Sequence, residues 1–179
     1  MSPLEVHLQL MKRQRELYNL EAGTSAFFDE YQSIKKENRS LLDSLENLQH
    51  KGAEDWFILG ALYSVCLTID KDCDHSIQCY REAAELGHTP AMVRLATRLQ
   101  RKNTDRANED ALDWLLHAAE RGYPGAMTWL GYTYREGIGI TIDYLKAAEW
   151  YKKATEHGEH SQYVSLGRLY CGYLDDYKE

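Results

Sequence analysis

The chain has 179 residues, 44% hydrophobic and 27% charged, a balance that suits one soluble domain with a sizeable core. Its formal net charge of -7 speaks against a general nucleic-acid binder, which carries a basic stripe, and against a polybasic membrane anchor. An acidic surface suits a basic protein partner, and it equally suits an ordinary mildly acidic protein without one.

The N-terminus, MSPLEVHLQLMKRQREL, places Glu5 and His7 inside its only apolar stretch, where a signal peptide needs an unbroken apolar run after a basic start. No stretch approaches the roughly 20 apolar residues of a membrane span. A cytoplasmic protein is therefore expected. Ser2-Pro3 before Leu4 marks a helix start with proline in the first turn, and that helix is expected to run to Gly23. A second is expected from Thr24 or Ser25, carrying Ala26, Phe27, Phe28 and Tyr31, and a third from about Ser40 to Gln49, before Lys51 and Gly52.

From Ala53 onward one period dominates. Leu59-Gly60, Leu95-Ala96, Leu130-Gly131 and Leu166-Gly167 form a column that steps by 36, 35 and 36 residues. Tyr63, Leu99, Tyr134 and Tyr170 follow three residues later. In the other half of each unit, Cys79-Tyr80, Trp114-Leu115 and Trp150-Tyr151 align, as do Ala83-Ala84, Ala118-Ala119 and Ala154-Thr155. Gly87, Gly122 and Gly158 close the units. Phe57, Gly60 and Tyr63 recur at helical spacing. The small residue of each Leu-Gly pair and the alanine pairs let two helices approach closely. Large aromatics, Tyr134 and Trp150 for example, are expected to fill the space beside those crossings. Glycine after the second helix fits the left-handed position that ends a helix. Each unit is thus a helix, a loop, a second helix and a tight turn. One hairpin cannot bury both its faces, so stacking builds a continuous core.

The segment AMTWLGYTYREGIGITIDYLKAAEWYKKATEHG resembles the Sel-one-like repeat, a relative of the tetratricopeptide repeat. The matching residues are Ala126, Leu130, Gly131, Tyr134, Gly137, Gly139, Asp143, Lys146, Ala147, Trp150, Tyr151, Lys153, Ala154 and Gly158. The period of about 36 separates it from the 34-residue tetratricopeptide unit. In the first two units Cys66 and Thr68, then Lys102 and Thr104, stand where loop glycines are expected, so those loops must turn differently. The fourth unit stops after its first helix. The resemblance implies an all-α fold, a right-handed α/α superhelical solenoid of helix-turn-helix repeats with an N-terminal helical cap. The cap is expected over 1–52 and the repeats over 53–179, at about 53–88, 89–123, 124–159 and, in part, 160–179. Terminal units of solenoids are atypical, so residues 1–52 read as a degenerate capping unit. The other reading is a docking element specific to the partner.

The resemblance also implies protein binding rather than catalysis, with the first helices of the hairpins lining the concave face. Two residues before the glycine column the units read Ile58, Arg94, Trp129 and Ser165; one after it, Ala61, Thr97, Tyr132 and Arg168; four after it, Ser64, Gln100, Arg135 and Cys171. Such variable columns face solvent. Trp129 and Tyr132, three apart on one helical face beside arginine, have the composition of interface anchors. The bland alternative is that a loop or the N-terminal helices cover them. Arg94, Arg98, Arg135 and Arg168 form either a local basic strip or solvated charges paired with nearby acids. The partner-binding candidates are therefore Ile58, Arg94, Arg98, Trp129, Tyr132, Arg135 and Arg168.

Motifs for chemistry are missing. Asp70-Lys71-Asp72-Cys73-Asp74-His75 starts like a calcium loop but has His75 at the turn glycine and Arg81 at the twelfth-position glutamate. His157 and His160 form an HxxH across a glycine turn, without the glutamate of a zinc protease. Cys66, Cys73, Cys79 and Cys171 contain no CxxC pair, so reduced thiols are expected. No catalytic residue, metal or cofactor is expected. Small size and acidic balance favour an inhibitor, such as a bacterial immunity protein that occludes a basic toxin domain; the alternative is a regulatory or scaffolding adaptor in bacterial signalling or secretion.

Overall fold

The computed structural model describes residues 2–17, 25–64, 73–160 and 166. Among them are eight helices: α1 (Pro3–Leu17), α2 (Ser25–Glu46), α3 (Ala53–Ser64), α4 (Cys73–Glu85), α5 (Thr89–Gln100), α6 (Asp105–Glu120), α7 (Pro124–Glu136) and α8 (Tyr144–Glu156). No strand occurs among the described residues, so the fold is all-α. The chain divides into two compact units, Met1–His88 and Thr89–Glu179.

In the first unit, α1 opens on a reciprocal cap. The Ser2 hydroxyl accepts from Glu5 N–H at 3.2 Å while Ser2 N–H donates to the Glu5 carboxylate at 2.7 Å. The helix is described to Leu17; residues 18–24, into which it was expected to continue, lie outside the described residues. α2 corrects the sequence reading: the two helices expected over residues 25–49 are one. No glycine or proline interrupts Ser25–Glu46, and the polar stretch before Ser40 stays helical with Asn38 buried in it. Arg13 ties α1 to α2, donating to Glu30 at 2.8 Å, Glu37 at 2.7 Å and Ser33 at 3.1 Å. That hydrogen bond from Arg13 holds the Glu37 carboxyl below the usual range. Beneath it, Leu10 of α1 and Leu41, Leu42 and Leu45 of α2 pack with Ile58, Leu59 and Leu62 of α3 and Cys79 of α4. Lys51 donates to the carbonyls of Glu46 and Leu48, both at 3.0 Å, satisfying the end of α2 as a basic residue there should.

The α3–α4 crossing shows what the glycine column does. A Cβ on Gly60 would fall 2.7 Å from the Tyr80 ring, so the ring lies flat where a side chain would be. One turn earlier on α4, buried Ser76 donates to the Gly60 carbonyl at 2.9 Å.

The second unit repeats this geometry. A Cβ on Gly131 of α7 would fall 2.7 Å from the Tyr151 ring of α8. The aromatic at the crossing is therefore Tyr80 or Tyr151, not Trp150 as expected; Trp150 is half-buried with Lys153 4.2 Å over its ring. Tyr134 does pack beside Ala147, Ala148 and Tyr151. In the α5–α6 hairpin the same columns hold Ala96 and Leu115, both fully buried: one carbon more on the first helix, a smaller side chain on the second. Its loop also turns differently, as expected. Asn103 supplies the left-handed residue at φ 50°, and Thr104 caps α6 by accepting from Ala107 N–H, where the third hairpin uses Gly137 at φ 68° and an Asp143 cap on α8.

All three hairpins close alike. Gly87, Gly122 and Gly158 have φ of 88°, 78° and 95°. Each donates to the carbonyl three residues back, and the next residue donates five back: His88 to Ala83, Tyr123 to Ala118 and Glu159 to Ala154. Residues 161–165 and 167–179, the expected fourth unit apart from Leu166, lie outside the described residues.

Candidate partner-binding surface

α5 buries Ala91, Met92, Leu95, Ala96 and Leu99. That pattern turns Arg94 and Arg98 to the other face, and Arg101 follows them in the turn after the helix. α7 likewise buries Ala126, Met127, Leu130, Gly131 and Thr133, leaving Trp129 and Tyr132 half-buried. Their rings meet edge to face, with centroids 5.5 Å apart and an interplanar angle of 85°. Between α5 and α7 runs a groove of about 420 Å³, lined by Arg94, Arg98 and Arg101 on one side and by Trp129 and Tyr132 on the other. A hydrogen-bond relay sets the register of the two helices: Gln100 donates to the Thr133 hydroxyl at 2.9 Å, and that hydroxyl donates to the Trp129 carbonyl at 2.8 Å.

The groove brings four sequence candidates together: Arg94, Arg98, Trp129 and Tyr132. Arg135 is engaged elsewhere. Its guanidinium lies 5.2 Å from the Tyr132 ring centroid and pairs with Glu136 at 2.7 Å, so it braces Tyr132 from the side. Ile58 is a correction. It is 0% exposed, packed among the leucines of α1 and α2, and offers nothing to a partner. Arg168 lies outside the described residues. Arg101 and Gln100 line the groove without having been singled out; Arg101 is three residues past Arg98 and seven past Arg94, a spacing that would have found it. None of Arg94, Arg98 and Arg101 pairs with a carboxylate among the described residues.

Elsewhere the chemistry is structural. Cys79 is buried and its thiol is pushed up to about 11, chiefly by burial, which suits an inert core cysteine. Cys66, Cys171 and residues 70–72 lie outside the described residues, as does the side chain of Cys73. His157 Nδ1–H donates to the Lys153 carbonyl, 2.9 Å away, at the end of α8. Among the described residues no three His, Cys, Asp or Glu side chains gather as a metal site would require, and no helix is long and apolar enough to cross a membrane.

The Sel1 repeat family model matches residues 57–88, 89–123 and 124–159. The chain belongs to the Sel1 repeat family. A chitin synthase regulator of Saccharomyces cerevisiae, SKT5, is 32% identical over 90 residues, which is 49% of this chain and 13% of that protein. The crystal structure of a Sel1 repeat protein from Oxalobacter formigenes superposes with a TM-score of 0.63 at 27% identity, covering 79% of this chain and 60% of that one. That of c5321, a protective antigen of uropathogenic Escherichia coli with the same repeat fold, gives 0.61 at 25% identity, covering 90% and 33%. The chain thus spans less than two thirds of each of these relatives. Its repeats are protein–protein interaction modules, and the matched folds agree with the all-α repeat architecture described above.

Proposed function

We propose that this chain is a regulatory protein without chemistry of its own, which holds a target protein in the groove between α5 and α7. The observation that carries this reading is the groove itself: Trp129 and Tyr132 stacked edge to face, opposite arginines that no carboxylate of the described residues engages. Large aromatics in a preformed concavity supply most of the energy of an interface, because they bury much area at little entropic cost. The yeast relative is named as a regulator of chitin synthase, which supports a regulatory role. The inhibitor of a basic toxin expected from the net acidity is disfavoured at this surface, since the groove presents positive charge.

Affinity capture from native cells, with quantitative mass spectrometry, tests the reading. The wild-type chain should recover a protein near stoichiometry, and adding the chain should change that protein's activity. Trp129→Ala combined with Tyr132→Ala should reduce recovery at least about tenfold while helical content and melting stay nearly unchanged. Undiminished recovery, or a double variant that unfolds, would place both rings in a structural role and end the proposal.

A further inference from the structure

Resting on the reading that this groove holds a protein, we infer that its occupant is an extended acidic segment whose carboxylates alternate with apolar side chains. The chain carries 28 acidic residues against 21 lysines and arginines, so acid is in surplus. Even so, Arg94, Arg98 and Arg101 stand unpaired along one wall of the groove among the described residues, while Arg135 beside it is paired. An unpaired arginine row opposite an aromatic pair is complementary to carboxylates on one side and apolar groups on the other.

The two unlike walls, one of arginines and one of rings, call for the alternating side chains of an extended form. Along α5, rising about 1.5 Å per residue, Arg94 and Arg98 are about 6 Å apart, and Arg101 continues the row in the turn beyond the helix. In an extended chain, residues two apart face the same way and lie about 6.5 Å from each other. Carboxylates at every second position therefore meet successive guanidinium groups, and the residues between them point at Trp129 and Tyr132. A helix about 10–12 Å across meets an open groove with one face, whereas an extended chain presents alternate side chains to both walls. A single-stranded nucleic acid would also present anions to one wall and rings to the other. The chain's charge of -7 opposes a long polyanion, and its repeats are of a protein-binding family.

Fluorescence anisotropy with a labelled short peptide alternating glutamate with leucine and tyrosine tests the inference. Its comparators are the same residues in two blocks, a version with lysine for glutamate, and an oligothymidine of matched length. The alternating peptide should bind tightest, at least about tenfold better than the lysine version and measurably better than the block version, and its affinity should fall as salt is raised. Arg98→Glu, at a position with no ion-pair partner among the described residues, should weaken it at least about tenfold, with circular dichroism unchanged. Equal binding of the lysine or block peptide, indifference to Arg98→Glu, or tighter Arg98-dependent binding of the oligothymidine would overturn the inference. If the peptide fails while the Trp129→Ala, Tyr132→Ala chain still loses its captured protein, the acidic occupant is wrong and the regulatory reading stands. If both fail, both are wrong.

Discussion

Ile58 of α3 and Arg94 of α5 occupy the same column of the repeat, two residues before the small residue of the helix crossing. Ile58 is fully buried beneath leucines of α1 and α2, whereas Arg94 is exposed. Trp129 of α7, the next member, is half-buried at the groove. The repeat itself therefore leaves this column undetermined. Where helices outside the repeat cover it, it becomes apolar core; where none of the described residues does, it is free to carry charge or an aromatic anchor. Residues that vary between units vary for two different reasons, and only one of them is binding.

The comparison can be broken by exchanging the residues. Ile58→Arg puts an unpaired charge under the leucines of α1 and α2 and should cost about 3 to 5 kcal/mol, read as a fall in the denaturation midpoint. A cost within the range of an exposed substitution would mean that the cover is loose. The crossings give the next largest effect. Gly131→Ala drives a Cβ into the Tyr151 ring and should cost about 1 to 3 kcal/mol, whereas in a Tyr151→Leu background the cost should largely vanish, reproducing the Ala96 and Leu115 combination. A double-mutant cycle with no coupling would show that the second hairpin solves a different packing problem.

A smaller effect reaches the covered face through pH. Burial holds the His7 pKa below 6.5, with the charge of Glu54 pulling the other way. The folded chain therefore keeps this ring neutral while the unfolded chain protonates it. The stability it permits is fully present above 6.5 and is lost as pH falls through the lowered folded value. Its Nδ1 is buried without a hydrogen-bond partner among the described residues. His7→Leu should flatten this acid dependence of unfolding, and an unchanged slope would assign the dependence to other groups. The smallest effect is the reverse exchange: Arg94→Ile should alter stability by no more than about 0.5 kcal/mol, since nothing covers or pairs with it among the described residues.

The hairpins were legible because their geometry is local. A glycine at a positive φ and a small residue at a crossing leave marks at fixed spacing, and Gly60, Gly131 and the three closing glycines were read correctly for that reason. α2 was misread because the polar run around Lys36 to Arg39 looks like a linker, although nothing in it breaks a helix. Trp150 was named as an example of the aromatics beside the crossings, whereas the ring against Gly131 is that of its neighbour Tyr151. For the candidate surface, the variable columns named Arg94, Trp129 and Tyr132, and Arg98 was added as a neighbouring arginine. They could not show that Glu136 and Tyr132 occupy Arg135, or that α1 and α2 bury Ile58, because those facts depend on contacts between elements distant in sequence or on side-chain direction.

The shared closure at Gly87, Gly122 and Gly158 makes each of these turns a standard coupling. Each ends its hairpin with the same two backbone hydrogen bonds, irrespective of what the hairpin contains. A copied hairpin that ends in such a turn closes by the same two backbone bonds whatever side chains it carries elsewhere. Growth by duplication thus demands nothing new of the backbone, and side chains such as Arg94 and Trp129 are left to diverge on a framework that already closes.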